Sequence, residues 1–266
     1  MAQPFRYDGK AVFVAGGTSG INLGITEAFA EAGANVAVMS RDQKKVDATL
    51  ELLKKYGGKS FGAAADVRNF DATAAALKAA RDALGEFDVL VSGAAGNFPA
   101  PLLGMSSNGF KAVVDIDLIG MFNVMKAAHP HMKKPGGSII TISAPQAVDA
   151  RAFQGHVCAA KAGADMLMKV IALEWAGDGL RINAILPGPI AGTEGMKRLA
   201  PTPQAEAAVN RAVPLHRMGT PRDIADCALF LASPMASYIT GAVVPVDGGL
   251  TAVGNHYTPE GKPSPL

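Results

Sequence analysis

Residues 11–24, AVFVAGGTSGINLG, run from an apolar segment through a glycine-rich turn into a helical pattern. The segment 10–15 is rich in valine and phenylalanine, which favour strands, and residues 20–32 place apolar side chains at helical spacing. Glycines at such a junction let backbone N–H groups approach a pyrophosphate, and the helix N-terminus favours its negative charge. The stretch therefore predicts a strand, a phosphate-binding turn and a helix; the alternative is a tight turn without a ligand.

The alternation of short apolar runs and longer helical patterns continues through the chain. The predicted strands are 10–15, 35–39, 60–64, 87–92, 138–143, 180–186 and 242–246, and the predicted helices are 20–32, 42–56, 72–84, 107–132, 159–176 and 223–231. Continuously apolar strands that alternate with helices are typical of a parallel sheet covered on both faces. We expect an α/β fold: a single-domain, Rossmann-type, doubly wound sheet of seven parallel strands over residues 1–255, followed by a C-terminal tail over 256–266.

Composition excludes several functional classes. The 266 residues carry 25 basic and 23 acidic side chains, a balance that argues against nucleic acid or an anionic membrane as the main partner. Cys158 and Cys227 are far apart, so they offer neither a disulfide scaffold nor a zinc site. No run reaches the roughly 18 apolar residues of a membrane span. We expect a cytoplasmic protein without a metal ion; its terminal Ser-Pro-Leu resembles a peroxisomal address only weakly.

The end of the second strand bears on the choice between NAD and NADP. An acidic residue there would accept hydrogen bonds from a ribose 2′-hydroxyl. Met39, Ser40 and Arg41 offer no carboxylate, and the Arg41 guanidinium can fork onto a 2′-phosphate. We expect NADP(H) as cofactor, with Ser40, Arg41 and Lys45 near the 2′-phosphate. The alternative is a set of solvated charges at a helix start.

At this point the sequence resembles the short-chain dehydrogenase/reductases, almost throughout and to about Leu250. Gly16–Gly20 matches the first motif of that family, although Asn22 replaces its third glycine. Gly93–Gly96 (GAAG) resembles the Asn-Asn-Ala-Gly segment that follows the fourth strand. The resemblance implies further cofactor contacts at Gly16, Thr18, Ser19, Gly20, Ile21, Asn22, Asp66, Val67, Ala94, Ala95, Gly96, Lys161, Pro187, Gly188, Ile190 and Thr193.

The usual catalytic group of that family carries over only in part. Lys161 matches its lysine, but Val157 stands at the tyrosine position, Ala144 at the serine position and Asp117 at the asparagine position. In ordinary members the tyrosine exchanges a proton with a hydroxyl or carbonyl oxygen. A plain alcohol dehydrogenase activity is therefore disfavoured.

These departures are similar to the peroxisomal-type 2,4-dienoyl-CoA reductases. That subgroup also shows Ala-Ala-Gly-Asn-Phe (here 94–98), Asp-Ile-Asp (115–117), a histidine five residues before the lysine (His156) and Pro-Gly-Pro-Ile-x-Gly-Thr-Glu-Gly (187–195). The resemblance implies NADPH-dependent reduction of a conjugated 2,4-dienoyl-CoA to a 3-enoyl-CoA in unsaturated fatty acid oxidation. It also implies acyl-CoA contacts at Arg68, Phe98, Ser106, Ser107, Asn108 and Arg198, the last in a predicted loop over 192–200.

The chemistry of a dienoyl thioester does not require a tyrosine. Hydride adds at the far end of the diene, negative charge spreads to the thioester oxygen, and a proton returns to the α-carbon. The catalytic candidates are Asp117, whose carboxyl in an apolar cleft would have a raised pKa, and Lys161, Asp165 and His156. The alternatives are a solvated helix residue for Asp117, a helical ion pair for Lys161 and Asp165, and a structural role for His156.

Two other functions stay open on the sequence. One is a carbonyl or hydroxyl oxidoreductase, similar to a 3-ketoacyl reductase, whose proton donor has moved to Asp117 or His156. The other is a catalytically silent NADPH-binding protein. For assembly, the resemblance implies a homotetramer formed through the helices predicted at 107–132 and 159–176 and through the C-terminal strand.

Overall fold

The sheet of the computed structural model, which describes residues 5–252, contains seven strands, all paired in parallel. They are β1 (Ala11–Ala15), β2 (Asn35–Ser40), β3 (Ser60–Ala64), β4 (Val89–Ser92), β5 (Ser138–Ile142), β6 (Arg181–Pro187) and β7 (Val243–Val246). Their order in the sheet is β3-β2-β1-β4-β5-β6-β7. The predicted doubly wound parallel sheet is confirmed.

Nine α-helices connect and cover these strands in residues 5–252. They are α1 (Gly20–Glu31), α2 (Gln43–Leu53), α3 (Phe70–Leu84), α4 (Ser107–Val114), α5 (Gly120–Ala128), α6 (Gly155–Glu174), α7 (Glu194–Leu199), α8 (Pro203–Ala212) and α9 (Pro221–Ala232). One apolar cluster packs α3, α5 and α6 against the sheet. A second cluster packs α1, α2 and α9. The strands are therefore buried from both sides, which explains their continuously apolar sequences.

The strand order reverses between β1 and β4, because the chain leaves β3 at one edge and re-enters the sheet beside β1. At such a switch point the loops that follow neighbouring strands diverge and leave a crevice at the carboxyl ends. The loops that form the site all follow the carboxyl ends of the strands.

Three features of the helices differ from the sequence prediction. The predicted loop 192–200 contains the short helix α7, because the Thr193 hydroxyl caps it by accepting from Met196 N. Helix α8 was not predicted, although Thr202 as cap and Pro203 in its first turn are ordinary start signals. The helix expected over 107–132 is divided by a π-helical turn at Asp115–Ile119.

Two further predictions concern the C-terminal tail and membrane-spanning segments. The tail 256–266 lies outside the described residues. Within residues 5–252, none of the helices combines the length and apolar character required to cross a bilayer.

Candidate active site

A cleft of about 1080 Å³ lies at the carboxyl ends of the strands. Its walls come from the segments that follow six of the strands, namely 16–22, 39–45, 65–68, 93–97, 142–154 and 187–196. All nineteen residues predicted to contact the cofactor line this cleft. The cleft also contains side chains that the sequence analysis did not single out, including Asp42, Gln146, Arg151 and Gln154.

The glycine turn between β1 and α1 forms a concave backbone surface, and side chains at its glycine positions would fill the space. Gly16 has φ of +78°, and a Cβ on it would lie 2.9 Å from the backbone of Ala94. The Ser19 side chain makes no capping hydrogen bond to α1, and the first turn of the helix holds no acidic residue. The N–H groups of this turn therefore remain available to an anion, and the segment fits the pyrophosphate of a dinucleotide.

Beside the end of β2, the cleft wall is basic. Arg41 and Lys45 line it, whereas the Asp42 carboxylate accepts hydrogen bonds from Lys44 N at 3.0 Å and Lys45 N at 3.4 Å. Asp42 therefore serves as the N-cap of α2, although its charge stands beside Arg41.

Asp66 and Arg68 lie at the same end of the cleft. Arg68 forks onto the Asp66 carboxylate, with Nη2 2.6 Å from Oδ2 and Nε 3.0 Å from Oδ1. This pairing lowers the pKa of Asp66, and the charge of Arg41 adds to the effect. Arg68, predicted to contact acyl-CoA, thus stands at the end of the cleft that carries Arg41.

Asp117 stands in the π-helical turn and is 3% exposed. Its Oδ1 accepts a hydrogen bond from Gly96 N at 2.7 Å, while Oδ2 has no hydrogen-bond partner and lies 3.6 Å from Lys161 Nζ. Burial raises the pKa of this carboxyl, and the charge of Lys161 and the Gly96 N–H oppose the rise. Asp115, two residues earlier, pairs with Lys111 instead. Of the two aspartates, Asp117 is the one that lines the cleft.

Helix α6 carries Lys161 and Asp165 on one face, and both bind the end of β5. Lys161 Nζ donates to Ile142 O at 2.8 Å, and Ser143 Oγ donates to Asp165 Oδ2 at 2.7 Å. Burial raises the pKa of Asp165, and the Ser143 hydroxyl opposes the rise. Lys161 reaches the cleft, whereas Asp165 holds the strand end behind it.

His156 is completely buried at the start of α6 and does not line the cleft. Its ring centroid lies 4.6 Å from that of Phe98 and 6.5 Å from that of Phe110. Neither ring nitrogen has a hydrogen-bond partner within the described structure. The imidazole thus forms part of an aromatic group beneath the site.

The cleft wall is apolar at the two positions where the family has hydroxyls. Val157 and Ala144 both line the cleft, and the nearby Ser143 hydroxyl is directed to Asp165. The arrangement therefore keeps a carboxyl and an ammonium group in the cleft but lacks the hydroxyl pair that would hold an alcohol or carbonyl oxygen.

The remaining predicted substrate residues lie outside this cleft. Ser106 and Ser107 line a smaller pocket of about 440 Å³, together with Leu102, Met105, Phe110, Lys111 and Val114. Phe98, Asn108 and Arg198 line neither pocket. Arg198 belongs to α7, whose Met196 and Leu199 do line the main cleft.

The fold and the glycine turn are shared with a known family of proteins. A family model described as enoyl-(acyl carrier protein) reductase matches residues 15–251. The chain is a short-chain dehydrogenase/reductase. A solved structure of 7α-hydroxysteroid dehydrogenase, complexed with NADH and 7-oxo glycochenodeoxycholic acid, superposes with a TM-score of 0.87 at 31% identity, covering 92% of this chain and 95% of that one. The family and this neighbour indicate a nicotinamide cofactor.

Two curated relatives are similar over most of their length. The oxidoreductase is 41% identical to the (3E)-enoyl-CoA-producing peroxisomal 2,4-dienoyl-CoA reductase of Saccharomyces cerevisiae, over 99% of this chain and 91% of that protein. It is 39% identical to a Bacillus subtilis protein named "Probable 2,4-dienoyl-CoA reductase", described as (2E)-enoyl-CoA-producing, over 90% of this chain and 96% of that protein.

Proposed function

We propose that this short-chain dehydrogenase/reductase reduces a conjugated 2,4-dienoyl-CoA to a 3-enoyl-CoA with NADPH. The observation that carries the proposal is the buried Asp117 carboxyl beside Lys161, in a cleft where Val157 and Ala144 replace the hydroxyl-bearing side chains of ordinary members. Such a site suits a reaction that delivers a proton to carbon. The names of the two relatives support the same substrate class.

When bound, the nicotinamide supplies a hydride to the far end of the diene. The electron pair of the diene then moves to the thioester oxygen, and the chain must stabilise this charge and return one proton to the α-carbon. Lys161 supplies a positive charge, which the Ile142 carbonyl holds in place. Asp117 supplies the proton, directly or through a water, because burial favours its neutral form. Asp165 fixes the end of β5, and His156 supports the Phe98 ring.

The preference for NADPH rests on the basic wall beside β2. Arg41 and Lys45 supply positive charge where a 2′-phosphate would lie, and Oδ1 of the neighbouring Asp42 accepts hydrogen bonds from the backbone of α2. An NADH-specific site would leave a carboxylate free to accept from the ribose hydroxyls.

The position of the double bond in the product is part of the proposal, since the two relatives are named for different enoyl-CoA products. A carboxyl that protonates the α-carbon yields the 3-enoyl isomer, whereas protonation at the γ-position would yield the 2-enoyl isomer. We assign the 3-enoyl product on the basis of the Pro187–Gly195 resemblance to the peroxisomal-type reductases.

We also propose a homotetramer. Helix α6 exposes Met166, Val170 and Leu173 at helical spacing, with exposed fractions of 60%, 42% and 81%. The adjoining π-helical turn and α5 expose Ile119 and Phe122. Apolar side chains exposed along one helix favour association with another copy. The cytoplasmic location expected from the sequence stays a prediction, and the yeast relative is named as peroxisomal.

The function can be tested by following NADPH absorbance with a 2,4-dienoyl-CoA and with a 3-ketoacyl-CoA in parallel, with product analysis by mass spectrometry and NMR. We expect turnover of the 2,4-dienoyl-CoA but not of the 3-ketoacyl-CoA, and we expect a 3-enoyl-CoA as the product. Faster turnover of the 3-ketoacyl-CoA would favour the carbonyl reductase function. NADPH binding without turnover of either compound would favour the silent binding protein.

A further inference from the structure

Asn22 connects the phosphate-binding turn to the loop that follows β4. It lies in the first turn of α1, and its Nδ2 donates to Gly93 O at 2.7 Å. Its backbone carbonyl accepts from Thr26 Oγ1 at 2.8 Å, and the same hydroxyl lies 3.0 Å from Gly17 O. The Asn22 backbone is therefore linked through Thr26 to the glycine turn, and its side-chain Nδ2 is linked to Gly93, whereas the buried Oδ1 has no hydrogen-bond partner in the described structure.

The side chain of Asn22 fills the space in which residue 93 would carry a side chain. A Cβ on Gly93 would lie 2.2 Å from Asn22 Oδ1 and 2.5 Å from its Cγ, far inside van der Waals contact. Gly93 is buried and is not among the described glycines with positive φ. Its backbone conformation thus suits any residue, and Asn22 is what excludes a larger one.

Residues 22 and 93 are both positions at which this chain departs from the family motifs that it resembles. The motifs that this chain resembles have glycine where Asn22 stands and asparagine where Gly93 stands. Because the Asn22 amide occupies this space, a side chain at residue 93 requires that amide to move or to be absent. The two departures are therefore one compensated change.

The 93–96 loop, which Asn22 contacts, also makes a hydrogen bond to the Asp117 carboxyl. Gly93 and Gly96 delimit a short segment whose first carbonyl accepts from Asn22 and whose last N–H donates to Asp117 Oδ1 at 2.7 Å. Ala94, between them, packs directly on Gly16 of the phosphate turn. A displacement of this segment therefore reaches both the cofactor cradle and the Asp117 carboxyl.

We infer that Asn22 is a positioning residue, which ties the phosphate-binding turn to the 93–96 loop and so fixes the Gly96 contact to Asp117, and that a side chain at residue 93 is accommodated only when residue 22 is small. The pairing of the two positions rests on geometry alone. The link to Asp117 rests on the proposed function, because it concerns the acid of that reaction.

The pairing is tested with Asn22→Gly, Gly93→Ala and the double variant, measured by NADPH fluorescence titration and by thermal unfolding without cofactor. A methyl group forced into a filled space typically destabilises the local packing by the equivalent of about tenfold in an equilibrium constant, and this packing supports the cofactor cradle. Gly93→Ala should therefore raise the Kd for NADPH by about that factor and lower the Tm, and adding Asn22→Gly should restore both to the level of Asn22→Gly alone. Gly177→Ala, where a Cβ meets nothing within 4 Å, is the matched control.

An additive result, in which the double variant binds NADPH no better than Gly93→Ala, would overturn the pairing. These readouts do not depend on the reaction, so failure of the proposed activity leaves them valid. The link to Asp117 is tested by the pH profile of kcat for Asn22→Gly. Loosening the Gly96 N–H contact removes an interaction that lowers the carboxyl pKa, so the alkaline limb should move to higher pH. An unshifted limb would contradict the positioning role.

Discussion

Asp117 and Lys161 form a buried pair in which the carboxyl and the ammonium group stand close without a hydrogen bond between them. Asp117 Oδ2 lies 3.6 Å from Lys161 Nζ, and the two side chains are 1% and 8% exposed. The ammonium group donates instead to the Ile142 carbonyl. The carboxyl oxygen nearest Lys161 is therefore free to carry a proton, and burial raises its pKa.

The first prediction concerns stability and pH in Asp117→Asn. Because the folded-state pKa of Asp117 is raised, its contribution to stability is complete below the unfolded pKa and is lost as pH rises through the folded value. Asparagine does not titrate and keeps an oxygen for the Gly96 N–H. The Tm of the variant relative to the wild type should therefore rise as the pH increases from about 4, the ordinary pKa of an aspartate, through the raised folded-state pKa. Differential scanning fluorimetry across this range measures it.

The control for that prediction is Asp115→Asn, which removes the partly exposed carboxylate that pairs with Lys111. Surface pairs contribute little, so this variant should follow the wild type at each pH. A constant difference in Tm between Asp117→Asn and the wild type at all pH values would mean that the buried carboxyl does not titrate in this range.

The second prediction concerns the cofactor. Charge-assisted contacts are worth about 1.5–3 kcal/mol, so the wild type should bind NADPH at least about tenfold more tightly than NADH. Arg41→Ala should remove most of this preference by weakening NADPH binding alone. Fluorescence titration with both cofactors measures the effect, with Arg151→Ala as a control on another segment of the cleft wall. Equal affinities in the wild type would refute the assignment.

The third prediction concerns the missing tyrosine. Val157→Tyr restores the family residue, yet it should not create 3-ketoacyl-CoA reduction. Ala144 still lacks a hydroxyl to orient the tyrosine, and the Ser143 hydroxyl is directed to Asp165. Val157 is also buried beside Val113 and Ala160, so the larger ring should lower the Tm. NADPH oxidation with a 3-ketoacyl-CoA tests this, and robust turnover by the single variant would show that Val157 alone blocks carbonyl chemistry.

The fourth prediction concerns assembly. Introducing glutamate at both Val170 and Leu173 places charge on the exposed apolar face of α6. The double variant should dissociate into smaller species, whereas we expect the wild type to be tetrameric at micromolar concentration. Light scattering coupled to gel filtration measures the mass. Glu51→Lys, on the exposed side of α2, serves as the charge-changing control, and a monomeric wild type would refute the tetramer.

The sheet and the cleft were predictable because their signals are local. Apolar runs of strand length and the glycines after β1 identify the fold, and the carboxyl ends of parallel strands converge whatever the loops contain. Asp117 was predicted as the candidate acid because its position matches that of the family's asparagine.

Other features depend on contacts between distant segments. The sequence pattern does not show the 2.7 Å hydrogen bond from Asn22 to Gly93 or the direction of the Ser143 hydroxyl. Nor does it show that His156 is buried beside the Phe98 and Phe110 rings. The π-helical turn at Asp115–Ile119 was not predicted either, because no residue pattern marks the local change from α-helical to i→i+5 hydrogen bonding. Helix α8 is different, because its start signals, Thr202 and Pro203, are present in the sequence.

The measurement that tests the account most directly is the turnover of a 2,4-dienoyl-CoA by Asp117→Asn, with the Kd for NADPH determined on the same preparation and His156→Ala assayed beside it. Because general acid catalysis is typically worth about 100- to 10,000-fold, Asp117→Asn should lose turnover by a factor in that range while its NADPH affinity stays nearly unchanged. His156 does not line the cleft, so His156→Ala should retain most of its turnover. Full turnover by Asp117→Asn together with its loss in His156→Ala would contradict the account and assign the proton to the histidine.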